Sequence, residues 1–433
     1  MKKWSLDKLY LGFEDPNYNK DLEKLDKLIL EINSQEIDFS SYENKLTKLI
    51  RFMENDIKFS ELIGRLYRFA SLTESVESTN QQAVKMSNIL RRKFTELTKV
   101  NTVFNKWLAN YPDLDKDIKT NPFLEKHKFY LNEIKDNASH MLSDDLELMI
   151  ARLRQTGSSA WGTLQSLLTS TLEVEYQGEV ITLSEVRNLA KDPSSEVRKA
   201  AYEAELAAYK KIDKPIAAAL NSIKGEVNTL SSARGFKNPL DQALYNSRMT
   251  EETLNAMQDA VKEYYDVFRL YLKRKAELLG YKNGLPFFEL YAPIGSSGKR
   301  FTIEEANEYV LKNFKTFSNS LYSMAKRAFD ENWVDYTPRK GKRGGAFCSN
   351  IHPIKQSRIM TNFTGSFSDM ITLSHELGHA YHGEVIFNES SLNSSYTMPV
   401  AETASTFCET IVNKAALKDA TNDEERIFLL ESS

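Results

Sequence analysis

Apolar residues recur at helical spacing along most of the chain. Segments 22–32, 42–72 and 81–108 place them three or four positions apart, with charged residues between them. This spacing predicts amphipathic helices that bury one face. Pro122 is expected to open a further helical stretch, and Ser143 is a candidate N-cap for another. The pattern therefore predicts a mainly helical fold.

Two places in the chain break the helical pattern and predict strands. Alternating segments flank Gln177-Gly178 within 172–183, which indicates a β-hairpin. Two short strand candidates, 346–349 and 359–363, lie far downstream and indicate a small sheet. Between these places, Thr250 is expected to cap a helix that continues to the region of Gly280.

A glycine- and proline-rich stretch, 337–345, reads as a loop that leads into the first of the two downstream strands. Lys340, Lys342 and Arg343 make this loop basic, and such groups are usually solvated, although the loop could attract a peptide carboxylate. Composition shifts are weak, so the domain division is coarse. We expect an N-terminal helical region at 1–112, a helical region with the hairpin at 113–200, and a third region at 201–433.

Composition limits the class of protein. Hydrophobic residues make up 41% of the 433 residues, enough for a sizeable core. The net charge of −3 argues against a dedicated nucleic-acid or anionic-membrane surface. No apolar run approaches the ~18 residues of a membrane span, and residues 1–13 lack a secretory apolar segment. With only Cys348 and Cys408, we expect a cytoplasmic protein that binds neither nucleic acid nor membrane, although one disulfide stays possible.

A cluster of histidines supplies the candidate chemistry. Three of the six histidines, His375, His379 and His382, lie within eight residues, and Glu376 follows the first of them. On a helix, His375 and His379 share a face, so both ring nitrogens can meet one zinc ion. Glu376 points away from that pair and can reach a water molecule beside the metal. An accidental H-E-x-x-H is expected in roughly one such chain in a few hundred.

A catalytic zinc needs a third protein ligand and an open position. His382 is a poor third ligand, because it lies about 10 Å from His375 along a straight helix, and it is better explained as a packing or supporting residue. Glu402, three residues after the possible helix start at Pro399, would complete a set of two histidines and one glutamate. Glu409, two turns further on, could accept a hydrogen bond from a ligand histidine.

At these residues the sequence resembles the thimet oligopeptidase and oligoendopeptidase F family of zinc metallopeptidases, in its oligoendopeptidase F branch. The resemblance covers nearly the whole chain. Its specific motifs are H-E-L-G-H-A-Y-H at 375–382, M-P-V-A-E-T-A-S-T-F at 398–407, G-K-R-G-G-A-F-C at 341–348 and M-T-N-F-T-G-S at 360–366. Weaker similarities are F-E-L-Y-A-P at 288–293 and W-S-L-D-K-L-Y at 4–10.

The resemblance implies a two-lobed helical ellipsoid with a deep central channel and a small β-sheet near the active site. It implies that His375, His379 and Glu402 bind one zinc ion per chain and that Glu376 is the catalytic base. The strand expected to line the channel and to pair with an extended peptide contains Gly345, Ala346 and Phe347.

The activity implied by the resemblance is hydrolysis of peptide bonds in short unfolded oligopeptides. The family's later tyrosine and histidine segment does not occur before Ser433, where this sequence stops. We therefore expect either a missing C-terminal segment, a second chain that completes the site, or an impaired enzyme that binds peptides. A helical scaffold with an accidental motif is the other alternative.

Overall fold

A computed structural model of the chain describes residues 3–295, 299–339 and 341–432. It is mostly helical, which confirms the predicted fold class. The N-terminal helices are α1 (Pro16–Ser34), α2 (Lys45–Val76), α3 (Gln81–Thr95), α4 (Thr98–Ala109), α5 (Leu114–Thr120), α6 (Pro122–Lys126), α7 (Lys128–Asn137) and α8 (Asp144–Thr156). Short 3-10 turns lie at Gln35–Ser40 and Ala138–His140.

The middle of the chain contains a hairpin among further helices. In order they are α9 (Ser158–Ser170), β1 (Glu173–Tyr176), β2 (Glu179–Thr182), α10 (Leu183–Asn188), α11 (Ser195–Tyr209), α12 (Asp213–Ala233), α13 (Pro239–Asn246), α14 (Glu251–Glu263) and α15 (Tyr265–Leu278). Short 3-10 turns lie at Leu189–Lys191 and Phe287–Glu289.

The last part of the chain combines helices with a three-stranded sheet. Its elements are α16 (Ile303–Phe317), α17 (Asn319–Asp330), β3 (Val334–Asp335), β4 (Phe347–Ile351), β5 (Gln356–Met360), α18 (Phe367–Ile386), α19 (Met398–Ala401), α20 (Thr403–Asp419) and α21 (Asp423–Ser432). Short 3-10 turns lie at His352–Ile354 and Ser391–Asn393.

The predicted hairpin is confirmed, and its turn explains why it forms. Gln177 and Gly178 both have positive φ, 50° and 84°, as the tight two-residue turns of hairpins require. Thr250 caps α14 by accepting a hydrogen bond from the backbone of Thr253. The single helix predicted from there to Gly280 is wrong, because the helix breaks at Tyr264 and continues as α15.

The downstream strand pair is confirmed with shifted bounds. The predicted segments 346–349 and 359–363 correspond to β4 and β5, which pair antiparallel with Phe347 opposite Met360. The shift arises at the turn between them, where Lys355 adopts a left-handed conformation with φ 49°. The strand order is β3-β5-β4, so β4 forms one edge of this sheet.

Separate hydrophobic cores hold the described residues together. The first lies among the N-terminal helices and also contains Ile351 and Met360, so these helices pack against the small sheet. The second unites the sheet with α16 to α18, α20 and α21. A third surrounds the hairpin and α11. The predicted domain divisions 1–112, 113–200 and 201–433 stay a prediction.

Helices α14 and α15 differ from the rest because almost all their side chains are exposed. Apolar residues such as Met257, Phe268 and Leu270 lie open to solvent. Among the described residues, no helix is both long and apolar enough to cross a bilayer.

Candidate metal site

The helix that carries the histidines begins as the sequence predicts. Ser366 accepts a hydrogen bond from the Asp369 backbone through its hydroxyl, and the Asp369 carboxylate accepts one from the Ser366 backbone, each at 3.0 Å. This reciprocal capping box satisfies two backbone donors that a helix start leaves unpaired. Helix α18 is therefore well defined two turns before His375 and Glu376.

A glycine inside the motif lets a second helix approach α18 closely. A Cβ atom built on Gly378 would lie 2.5 Å from the Ala404 carbonyl oxygen and 2.6 Å from the Ser405 Cα. These distances are too short for a side chain, so only glycine allows α20 to pack here. This close contact brings the first residues of α20 to the histidines.

Glu402 lies beside the histidine pair, but its local structure differs from the expectation. The predicted helix start at Pro399 is confirmed, because Pro399 lies in the first turn of α19, but the prediction that Glu402 lies inside that helix is wrong. Residues Met398–Ala401 form only the short turn α19, and Glu402 stands at the junction before α20. At this corner its side chain is half exposed and reaches toward His375 and His379.

The three predicted ligands come together at one point. Nε2 of His375 lies 3.1 Å from Nε2 of His379. The Glu402 Oε2 atom lies 3.2 Å from the first nitrogen and 3.4 Å from the second. Ligands of a tetrahedral zinc with bonds of about 2.0–2.1 Å lie roughly 3.3–3.4 Å apart. The residues present therefore fit a zinc ion, although their role as ligands stays a prediction.

Neighbouring groups hold the candidate ligands in forms that suit a metal. The Glu409 carboxylate lies 2.5 Å from Nδ1 of His375, which leaves Nε2 to face the other ligands. Ser405 donates a hydrogen bond of 2.8 Å to Glu402, and this bond lowers the pKa of that carboxyl. Burial lowers the pKa of His379, which favours the neutral imidazole that a metal needs.

Glu376 has an environment distinct from that of the other carboxylates. It is only 5% exposed, and its Oε2 has no hydrogen-bond partner among the described residues. Burial raises the pKa of Glu376 to about 7, with the Glu402 and Glu409 charges adding to the rise and His375 opposing it. A carboxyl group with this pKa can both accept and donate a proton near neutral pH.

His382 stands apart from the three candidate ligands. Its ring packs against Tyr396 at a tilt of 37° with the ring centroids 4.4 Å apart, and its buried Nδ1 lacks a partner within the described ranges. It does not belong to the His375, His379 and Glu402 group. This placement agrees with its expected packing or supporting role.

The loop before β4 contains a buried charge that the sequence analysis missed. Lys342, predicted to be solvated, is fully buried, so this prediction is wrong. Its ammonium donates to the Asp335 carboxylate at 2.6 Å and to the carbonyl oxygens of Thr337 and Thr361. Arg339 pairs with the same carboxylate. Asp335 is itself buried, and a buried carboxylate needs such partners.

The other two basic residues of this loop have different outcomes. Arg343 is exposed, as predicted. Lys340 lies outside the described residues.

The predicted peptide-binding stretch leads into the edge strand. Gly345 has φ 78° and its carbonyl oxygen accepts a hydrogen bond from Asn362. Ala346 precedes β4, and Phe347 is its first residue. On its outer side, β4 forms no backbone hydrogen bond with any other described segment. An extended peptide could pair with this edge by strand addition, but the substrate contacts stay a prediction.

A helix with H-E-x-x-H that meets a glutamate from a later segment of the chain is an arrangement typical of zinc metallopeptidases. Comparison with known families agrees with that class. Residues 188–433 match the model of peptidase family M3, and residues 103–173 match the model named Oligopeptidase F. The chain belongs to peptidase family M3.

Two relatives illustrate the similarity in sequence. Oligopeptidase PepF of Bacillus subtilis (strain 168) is 22% identical over 437 residues, which cover 99% of this chain and 64% of that protein. The plasmid oligoendopeptidase F of Lactococcus lactis subsp. cremoris is 24% identical over 401 residues, covering 88% of this chain and 65% of that protein. The chain thus spans less than two thirds of the length of these relatives.

Solved structures show the same fold. A crystal structure of an inferred peptidase from Chlamydophila abortus has a TM-score of 0.73 at 20% identity, covering 99% of this chain and 73% of the other. Oligoendopeptidase-F from Enterococcus faecium has a TM-score of 0.62 at 18% identity, covering 94% of this chain and 70% of the other.

Proposed function

We propose that the chain acts as a zinc metalloendopeptidase on short unfolded oligopeptides. The observation that carries this proposal is the meeting of His375, His379 and Glu402 at 3.1–3.4 Å beside the buried Glu376. The names of the relatives, oligopeptidase and oligoendopeptidase, support the choice of substrate class.

In this proposal His375, His379 and Glu402 hold one zinc ion. When bound, zinc supplies Lewis-acid chemistry that polarises a peptide carbonyl and makes water acidic enough to lose a proton near pH 7. Glu409 keeps the His375 ring oriented through its hydrogen bond to Nδ1. Two imidazoles and one carboxylate are a donor set that favours zinc among the common metals.

Glu376 moves the proton. Its buried carboxylate accepts a proton from the attacking water and then donates it to the leaving amine. Burial supports both steps, because it raises the pKa of Glu376 to about 7. The unpartnered Oε2 leaves one oxygen free to receive the proton.

The substrate is held by the edge of the small sheet. An extended peptide pairs with the outer backbone groups of β4, next to Gly345, Ala346 and Phe347. Strand pairing needs a peptide without its own folded structure. This requirement fits oligopeptides better than folded proteins.

Metal analysis and a peptide assay test the proposal together. The purified chain is expected to hold about one zinc per polypeptide and to cleave internally quenched peptides, with activity lost on chelation and restored by zinc. Zinc without any cleavage would reject the endopeptidase proposal and favour a protein that only binds peptides. A chain without zinc would reject the metal site itself.

A further inference from the structure

We propose that the cavity between α2 and the edge strand β4 binds a carboxylate of the peptide substrate through Arg68 and Arg343. The proposal rests on the function proposed above, which supplies the peptide. It adds the chemical class of the substrate group that this cavity binds, which is a carboxylate.

The cavity has a volume of about 650 Å³. Helix α2 forms one wall, with Tyr67 and Arg68 among its lining residues, and β4 forms the opposite wall. The end of α18 and Tyr396 close a third side. The cavity therefore follows the strand that is proposed to pair with substrate.

The lining carries positive charge that nothing in the described chain neutralises. Arg68 and Arg343 line the cavity, both are exposed, and no aspartate or glutamate lies among the lining residues. Neither guanidinium forms an ion pair or side-chain hydrogen bond with any residue in the described ranges. By contrast, Arg187 and Arg248 on the outer surface are each paired with a glutamate.

A concave site with unpaired arginines attracts anions, because charge of one sign in a cleft focuses the field. The guanidinium group presents parallel N–H donors that match the two oxygens of a carboxylate. Every oligopeptide with a free end carries a terminal carboxylate, and acidic side chains carry the same group. A carboxylate is therefore the anion that this cavity would meet on a peptide.

The cavity lies beside the candidate metal site. Asn350 lines the cavity, and its side-chain amide donates a hydrogen bond to the His379 carbonyl oxygen at 3.3 Å. Tyr396 lines it as well, and its ring centroid lies 4.4 Å from that of His382, three residues after His379. In this proposal one peptide extends from the candidate ligands to Arg68.

Backbone contacts fix the second arginine relative to the first. The Arg343 backbone donates to the Ser75 carbonyl at 2.9 Å, and the Ser78 backbone donates to the Gly341 carbonyl at 2.8 Å. Arg343 is thereby tied to the end of α2, seven residues beyond Arg68. That separation corresponds to about 10 Å along the helix axis between the two attachment points, a distance that the two long side chains can close on one carboxylate.

Binding of labelled peptides tests the proposal without relying on turnover. The E376Q chain is titrated with one fluorescent peptide in three forms: a C-terminal acid, a C-terminal amide, and an amide in which one internal Gln is replaced by Glu. The acid or the Glu form is expected to bind about tenfold more tightly than the plain amide, the gain typical of one charge-assisted hydrogen bond. The peptide form that binds more tightly shows whether the bound carboxylate is the terminal one or belongs to a side chain.

Charge substitutions then assign the effect to the cavity. R68Q or R343Q, introduced into the E376Q chain, is expected to remove most of the gain, whereas R68K retains part of it because the charge remains. R92Q, which alters an exposed arginine of α3 outside the cavity, serves as the matched control. Circular dichroism confirms that each variant is folded.

Equal binding of the acid, Glu and amide forms would overturn the proposal. A preference for the carboxylate-bearing peptide that persists in the R68Q variant and in the R343Q variant would overturn it as well. These outcomes are independent of the endopeptidase proposal, which zinc content and cleavage by the unsubstituted chain decide separately.

Discussion

The candidate site has two halves that are built in different ways. The helix pair, α18 with α20, carries the proposed ligands and is held by close backbone contact at Gly378. The anchored loop, residues 335–339 and 341–346, leads into the proposed substrate strand and is held by charged hydrogen bonds to Lys342. Packing fixes one half and polar contacts fix the other.

This difference predicts that the two halves can be damaged separately. A change in the helix pair should alter metal binding or proton transfer and leave peptide affinity near normal. A change in the anchored loop should weaken peptide binding while zinc stays bound. Four substitutions test this separation, from the largest expected effect to the smallest.

The largest effect is expected at Glu376. E376Q keeps the shape of the side chain but removes the group that accepts the proton, so kcat should fall by about 10²–10⁴-fold. Zinc content and peptide affinity should not change. Turnover of a quenched peptide and metal analysis measure both. E384Q is the control: Glu384 lies on the same helix, but its carboxylate pairs with Arg327 and not with the candidate ligands. Wild-type turnover by E376Q would refute the assignment.

Lys342 tests the anchored loop. K342M leaves the buried Asp335 without its ammonium partner, and removing one member of a buried pair typically costs about 3–5 kcal/mol. Arg339 stays beside the carboxylate, so we expect the lower end of this range in urea unfolding, together with a higher KM and retained zinc. The control K326M, in an exposed pair with Asp330, should cost at most about 1 kcal/mol. Zinc loss in K342M with normal KM would contradict the separation.

Gly378 tests the packing of the helix pair. In G378A the new methyl group meets the backbone of Ala404 and Ser405, and overpacking of this kind costs about 1–3 kcal/mol. Zinc affinity should fall with stability, and peptide affinity should not. G225A in α12 is the matched control, since a Cβ there meets nothing within 4 Å and should stabilise by about 0.5–1 kcal/mol. Equal stability of the two variants would show that the close contact is unimportant.

The smallest effect is expected at Glu409. E409Q weakens the acceptor for the His375 Nδ1 proton, and such supporting groups typically contribute about 10–100-fold in metal affinity. We expect about tenfold, because the amide oxygen can still accept the bond. Competition with a zinc chelator measures it. Unchanged affinity would mean that the hydrogen bond does not orient the ligand.

Features that depend on contacts within one helix could be predicted from the sequence, whereas features that depend on packing between segments could not. Ser366 interacts with Asp369, three positions on, and His375 with His379, four positions on, so a helical pattern is enough to place these residues. Glu402 was found through its neighbourhood and the family resemblance, yet its position at the junction before α20 depends on packing against α18.

Contacts between segments that are distant in the sequence explain why some predictions from the sequence were wrong. Lys342 looks solvated beside other basic residues, but its ammonium is buried against Asp335 in β3 and the carbonyl oxygen of Thr361, which directly follows β5. The strand bounds shifted because register depends on the turn at Lys355, where a left-handed residue is not obvious from a lysine. The break at Tyr264 likewise has no strong local breaker in the sequence.

The two cysteines differ in how reagents reach them. Cys408 lies in α20 and is buried, whereas Cys348 lies in β4, is partly exposed and lines the cavity beside α2. Burial raises the pKa of Cys408 to about 12, so this thiol stays protonated, and its alkylation must await local opening of the helix pair. The labelling rate of Cys408 would therefore report how often that half opens, with no substrate or metal present.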